Sequence, residues 1–336
     1  MLPESTLQAA FFSARSDEFP IDVAIVPGLA ARVFLHALSG PSGQVWCWSY
    51  VTRGLEVYRQ REVVFTVAID ATGDAGRVPT DPLRFAAQLQ YLAGQGRVVD
   101  AGGISQLSGA GLLGRPGITY ARAEGMTGVE LPAGALAAVL ITAEEIAVYQ
   151  TFGQSRLLAL LGQAFRYYPF PPWADLQRAS VTSMASNDGS LLGQVPRAAV
   201  TGAARIDGER LALRLHPSSA TLLQQMLNGI GAGSVFALTL GIDPEADGCL
   251  VWQAGQQGPS AITPPSSRGE HLAVGFLAVL PDQPADGGQL FEDGFAMFLT
   301  SLSSQALREA LAAARTIMIH GMHGKMSLSV EWTAES

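Results

Sequence analysis

Ile206-Asp-Gly-Glu-Arg-Leu-Ala-Leu-Arg-Leu215 and Phe291-Glu-Asp-Gly-Phe-Ala-Met-Phe-Leu299 repeat one pattern in the second half of the chain. Each reads as two strands joined at Asp-Gly, because glycine supplies the positive φ that a tight hairpin turn requires. The two aspartates, Asp207 and Asp293, lie 86 positions apart. Each hairpin is followed by a Ser-Ser pair and a helical stripe. Ser218-Ser219 precedes Leu222, Leu223, Met226 and Leu227, and Ser303-Ser304 precedes Ala306, Leu307, Ala310 and Leu311. Strands at 235–240 and 316–320 come next, with closing strands at 250–252 and 326–332. The period is too long for a solenoid. The pattern therefore predicts a duplicated ββαββ-like unit sharing one core, within a mixed α/β (α+β) protein.

The first half opens as a sheet. Apolar runs at 21–26 and 31–38 flank the turn dipeptide Pro27-Gly28, and runs at 45–51 and 63–69 flank Arg53-Gly54-Leu55. Asp81-Pro82 reads as a capped helix start, and Leu83, Phe85, Ala86, Leu89 and Leu92 form the stripe that covers one face of this sheet. Two more strands are expected at 118–121 and 136–141. Thr142-Ala-Glu-Glu145 is a capping box, opening a helical pattern that carries Ile146, Tyr149 and Phe152 and resumes after Gly153 with Leu157, Leu158 and Leu161.

The run Gly162-Gln-Ala-Phe-Arg-Tyr-Tyr-Pro-Phe-Pro-Pro-Trp173 holds five aromatics and three prolines. Prolines fix φ, remove donors and push the preceding residue toward extended geometry, so the run is expected as a stiff, solvated or edge-lying strand without helix. The polar stretch 180–194 then marks a domain boundary. Three segments follow: an N-terminal segment 1–18, a first α/β domain 19–178 and a second α/β domain 179–336 that contains the repeat.

A net charge of -8 with scattered arginines opposes binding to a phosphate backbone or insertion at an anionic membrane. Two cysteines, Cys47 and Cys249, make neither a disulfide framework nor a four-thiolate zinc site, which fits a reducing cytoplasm. The first twenty residues contain Glu4, Asp17 and Glu18 and do not read as a secretory signal. The most apolar stretch, 131–149, is broken by Gly134 and Glu144-Glu145, short of a membrane span.

No catalytic motif emerges. Gly109-Ala-Gly-Leu-Leu-Gly114 has dinucleotide-site spacing but precedes a strand instead of a helix, so it reads as a loop. His320-Gly-Met-His323 lacks the further ligands a metal shell needs and reads as a hairpin loop. His36 sits on an apolar strand as a core histidine, and Cys47, between Trp46 and Trp48, has no cation nearby to activate it. Glu144 and Glu145 project about 100° apart on a helix and suit capping better than acid–base work. Arg166, set among Phe165, Tyr167 and Tyr168, has the make-up of an interface anchor.

The blocks Pro27-Gly-Leu-Ala-Ala-Arg-Val-Phe-Leu-His-Ala-Leu-Ser-Gly40 and Cys47-Trp-Ser-Tyr-Val-Thr-Arg-Gly-Leu55 resemble the family of C-terminal domains found in the Smad anchor for receptor activation and endofin. Asp81-Pro-Leu-Arg-Phe85, the aromatic run to Trp173 and Glu292-Asp-Gly294 are similar to that family's later motifs, in the same order, from about Phe19 onward. Animal members carry a cysteine-rich, lipid-binding zinc finger upstream, for which this chain has neither the cysteines nor the length. Endosomal targeting is therefore not carried over, and the alanine- and glycine-rich composition suits a bacterial homologue. Trp48-Ser-Tyr50 with Gly54-Leu-Glu-Val-Tyr58 resembles the suppressor of fused N-terminal domain, which sequesters a partner and has relatives among bacterial immunity proteins.

The resemblance implies a domain of uncharacterised function linked to protein recruitment, with no catalytic residues assigned to its motifs. With the rigid, proline-set aromatics, which need little ordering entropy on binding, the chain reads as a non-catalytic protein-interaction module with no cofactor and no metal, whose expected contact residues are Arg166, Tyr167, Tyr168, Phe170 and Trp173, together with Trp48 and Arg53. A protein partner is expected, and nucleic acid and membrane insertion are not. Two alternatives stand beside it. One is an immunity protein that sequesters a toxin, and the other is an enzyme or small-molecule binder with an interdomain cleft.

Overall fold

The computed structural model describes residues 19–40, 43–69, 78–123, 129–165, 167, 170–184, 191–243, 245–252, 259–263, 267–322 and 326–333. They form a mixed α+β fold with two sheets in two compact units. Residues up to 146 join 171–179 in the first unit, and 147–170 join 180 onward in the second. The segment 147–170 thus groups with the second unit, although the sequence reading assigns it to 19–178. Its side chains supply the reason: Ser155 donates to the Leu240 carbonyl, and Arg156 donates to Glu292 and Asp293.

The first unit holds β1 (Ile21–Val26), β2 (Leu29–Gly40), β3 (Gly43–Arg53), β4 (Val63–Ala68), α1 (Asp81–Gly94), β5 (Ile104–Gln106), β6 (Gly117–Arg122) and β7 (Leu136–Ile141). Its strand order is β1-β2-β3-β4-β7-β6-β5, with β4 and β7 parallel and the other neighbours antiparallel. The two-residue period of a strand sends Trp48 and Tyr50, Val63 and Phe65, Ile118 and Tyr120, and Leu136 and Ala138 into one core with Leu83, Ala86 and Leu89 of α1. Asp81 does not cap α1. Thr80 occupies that position without a side-chain bond, and Asp81 accepts from Arg84 at 3.4 Å.

The glycine-rich 109–114 stretch is a loop leading into β6, as its context predicts. A Cβ on Gly111, at φ 69°, would run into the Arg115 carbonyl. Beyond the β7 pairing, β4 is joined by Ala174, whose N–H donates to the Thr66 carbonyl at 2.8 Å and whose carbonyl accepts from Ala68 at 2.9 Å. The chain is thus extended just after Trp173. Upstream the expectation fails, since 162–165 are the last turn of a helix. The first proline of the run is Pro169, so none interrupts the helix up to Phe165.

The second unit holds most of α2 (Ala143–Phe152), then α3 (Gln154–Phe165), α4 (Leu191–Gln194), β8 (Arg197–Asp207), β9 (Arg210–Leu215), α5 (Ala220–Gly229), β10 (Phe236–Gly241), β11 (Gly248–Val251), β12 (Ser260–Ile262), β13 (His271–Val274), β14 (Phe276–Leu280), β15 (Gly287–Phe291), β16 (Gly294–Phe298), α6 (Ser301–Ala312), β17 (Ile317–Met322) and β18 (Met326–Trp332). Eight of these strands run in the order β17-β18-β9-β8-β10-β14-β16-β15, and β15 comes back into contact with β17.

The internal repetition lies in that order. β8, β9, α5, β10 and β14 match β15, β16, α6, β17 and β18. Each copy starts with an antiparallel hairpin and ends with an antiparallel pair. The last strand of each copy is exchanged: β14 lies parallel to β16, and β18 lies parallel to β9. Two details differ from the sequence reading. The fourth strand of the first copy is β14, while the 250–252 strand belongs to an excursion, β11 to β13, between β10 and β14. The hairpin turns are Gly208-Glu209 and Glu292-Asp293, so Asp207 corresponds to Phe291 instead of Asp293. Leucines of both helices, Leu223 and Leu227 with Leu307 and Leu311, join Leu213, Leu238, Leu277, Phe295 and Leu328 in a single core.

Candidate interaction surface

Three of the residues read as a contact surface are core residues. Trp48, Phe170 and Trp173 are 4%, 6% and 5% exposed, so they present no surface to a partner. Trp48 shares the α1 face of the sheet with Tyr50 and meets Phe19 edge-on at 5.1 Å, as a ring this large gains most by burial. Tyr167 is half-buried, with its N–H on the Gly162 carbonyl at 2.8 Å. Arg53 is half-exposed and 3.9 Å from Asp22. Arg166 and Tyr168 lie outside the described residues.

Among the described residues, the exposed aromatics of the first unit are Trp46 on β3 and, elsewhere, Tyr58 and Tyr91. After Arg53 the chain turns at Gly54, φ 113°, where a Cβ would strike the Gly28 carbonyl. Beneath this turn the buried Glu62 carboxylate accepts from the N–H groups of Gly54 at 2.7 Å, Leu55 at 2.9 Å and Glu56 at 3.4 Å. It also accepts from the Thr52 hydroxyl at 2.6 Å, whose oxygen in turn accepts from the Val63 N–H at 2.7 Å. An anion held against three aligned N–H groups fixes the 3-10 turn Glu56–Tyr58 in place.

Gln60 ties this turn to the chain after α1. Its side chain accepts from the Val99 N–H at 2.7 Å and donates to the Val99 carbonyl at 3.2 Å. The Tyr58 ring lies against Gly94, close to van der Waals contact with a Cβ placed there. Tyr91, one helical turn before Gly94, stands on the same side of α1. Val57, Tyr58, Tyr91 and Val98 are 81%, 38%, 67% and 49% exposed, and Arg59 and Arg97 are exposed too; they lie on the turn, on α1 and on the segment after it, which the Tyr58–Gly94 approach and the Gln60–Val99 hydrogen bonds bring together. Sequence reading passed over them. The signal was Tyr91, which falls outside the apolar stripe of α1.

Three polar clusters have the makings of chemistry. Across β2, β3 and β4, His36 Nε2 is 2.8 Å from Ser49 Oγ, and Ser49 Oγ is 2.7 Å from Thr66 Oγ1. That is the spacing of a base and a nucleophile, but Ser49 is fully enclosed and His36 Nδ1 has no partner to orient the ring. The neighbouring Cys47 thiol is pushed up to about 12 by burial, so it is no nucleophile either.

In the second unit Arg156 is buried between the rings of Phe152, 4.3 Å away, and Trp252, 5.3 Å away. Its Nε donates to Asp293 at 2.8 Å, and its Nη2 donates to Glu292 at 2.8 Å and to Asp293. Glu292 also accepts from the Leu191 N–H at 2.6 Å. Burial opposes the charge on Arg156, yet the two carboxylates outweigh it and hold the guanidinium pKa up. This is an internal lock, which sequence reading missed because a lone arginine before Leu157-Leu158 gives no pairing signal.

At the surface Arg205 bridges Asp207 at 3.0 Å and Glu245 at 2.8 Å, and His271 Nδ1 is 2.8 Å from Asp207. Here each charge is met by another. Among the described residues no three histidine, cysteine or carboxylate side chains converge as metal ligands do, and no helix is long and apolar enough to cross a membrane. No protein-family model matches the chain, and a search of curated proteins finds no match.

Proposed function

We propose that this protein is a non-catalytic interaction module that binds another protein through the surface of Val57, Tyr58, Tyr91 and Val98. The observation that carries the reading is two exposed tyrosines on a backbone already fixed by Glu62 and Gln60. Large rings on a rigid support lose little conformational entropy when they are covered, and tyrosine is enriched among the residues that dominate interface energies. The catalytic alternative has less support, since Ser49 is enclosed and no partner orients the His36 ring through Nδ1. The immunity-protein alternative draws on the same place, because Gly54-Leu-Glu-Val-Tyr58 is this turn; under it the partner is a toxin. The cytoplasm remains the expected compartment, on the strength of two free cysteines.

The test compares wild type with Tyr58→Ser, Tyr91→Ser and the double variant in quantitative affinity capture from source cells, with melting temperature as a fold control. An anchor worth about 2 kcal/mol weakens its complex roughly thirtyfold on truncation. At least one stoichiometric partner should be lost from the double variant. A partner set unchanged in a folded double variant would remove this surface from consideration.

A further inference from the structure

We infer that the segment recognised at the Tyr58–Tyr91 surface is acidic, with apolar side chains between its carboxylates. The inference rests on the interaction reading above and adds the chemistry of the partner. Other arginines of this unit have anionic neighbours: Arg61 is 3.3 Å from Asp100, Arg84 is 3.4 Å from Asp81, and Arg53 is 3.9 Å from Asp22. Arg59 and Arg97 have no ion-pair partner among the described residues, and both are exposed. The Gln60–Val99 hydrogen bonds join the two segments that carry them, one residue from Arg59 and two from Arg97.

Arg59 also takes φ 60°, a left-handed conformation that glycine or asparagine occupies more readily than a residue with a long side chain. An unpaired guanidinium held there beside tyrosines has the make-up of a carboxylate receptor, since its planar donors meet a carboxylate in pairs. The chain as a whole carries -8, whereas this region adds two exposed guanidiniums, Arg59 and Arg97, against the one exposed carboxylate of Glu56 on the same turn. Such a local reversal of sign fixes orientation and selects partners more than it adds affinity.

A random-peptide display library selected on the whole protein tests the inference. Selected peptides are measured by fluorescence anisotropy against wild type, Tyr58→Ser/Tyr91→Ser and Arg59→Glu/Arg97→Glu, at low and high salt. The expected peptides alternate aspartate or glutamate with apolar residues, weaken about tenfold or more with the arginine variant, and lose affinity in salt. Peptides that need the tyrosines but ignore the arginine reversal overturn the acidic partner and leave the interaction reading standing. If no peptide distinguishes wild type from the tyrosine variant, both fall. Sedimentation with phosphatidylserine-containing vesicles that the arginine variant abolishes, without acidic peptides, overturns the inference in favour of an anionic lipid surface.

Discussion

His36 shows how one half-buried polar group sets a pH dependence. Its Nε2 meets Ser49, its Nδ1 is buried without a partner, and burial lowers its pKa from the ordinary value of 6.5. The unfolded chain therefore binds the proton more readily than the folded one. Stability from the neutral ring is complete above 6.5 and is lost as pH falls from there toward the lowered folded value. His36→Gln, which keeps a polar partner for Ser49 but does not titrate, should flatten this part of the profile. Urea midpoints of the two proteins, followed from about pH 8 to about pH 5, check it. Parallel profiles would mean that the imidazole is already relieved in the folded state. Sequence reading placed His36 correctly on an apolar strand, but Ser49 and Thr66 are distant in sequence and only the register of β2, β3 and β4 brings them to it.

At the scale of elements, local signals were legible and long-range ones were not. The Thr142–Glu145 box forms as read: the Thr142 N–H donates to Glu145 at 3.0 Å and the Glu145 N–H donates to the Thr142 hydroxyl at 3.3 Å. Both partners lie within one helical turn, so sequence spacing defines them. Arg178, whose two nitrogens grip the same carboxylate at 2.5 and 2.7 Å, was not foreseeable from 33 residues away. The lock on α3 is likewise non-local, and its energetics are testable. Arg156→Met leaves Glu292 and Asp293 buried without their cation, which should cost about 3–5 kcal/mol. Adding Glu292→Gln and Asp293→Asn removes the stranded charges, and most of that loss should return. Urea unfolding of the single and triple variants measures both. A triple variant as unstable as the single one would show that the lock acts through packing of the guanidinium between Phe152 and Trp252 and not through its charges.

At the scale of the whole chain, the repeat was visible as Asp-Gly, Ser-Ser and a leucine stripe at matching distances, because turns and helix faces follow local rules. The exchange of closing strands was invisible, because a parallel partner leaves no mark at a fixed spacing. That exchange has a mechanical consequence. β16 relies on β14 and β9 relies on β18, so neither copy in the second unit completes its sheet alone. The link between copies, around Pro284-Ala285, lies in the connection from β14 to β15 and contributes little to the shared core. Chains 1–284 and 285–336, expressed together, should therefore co-purify in equal amounts and melt as one, while 285–336 alone stays unfolded. Cutting a connection whose ends stay close adds only the entropy cost of joining two chains, whereas losing a strand from each of two pairings exposes the leucine core. A 1–284 chain that is folded and melts like the intact protein without its complement would refute the exchange, since β9 would then have no need of β18.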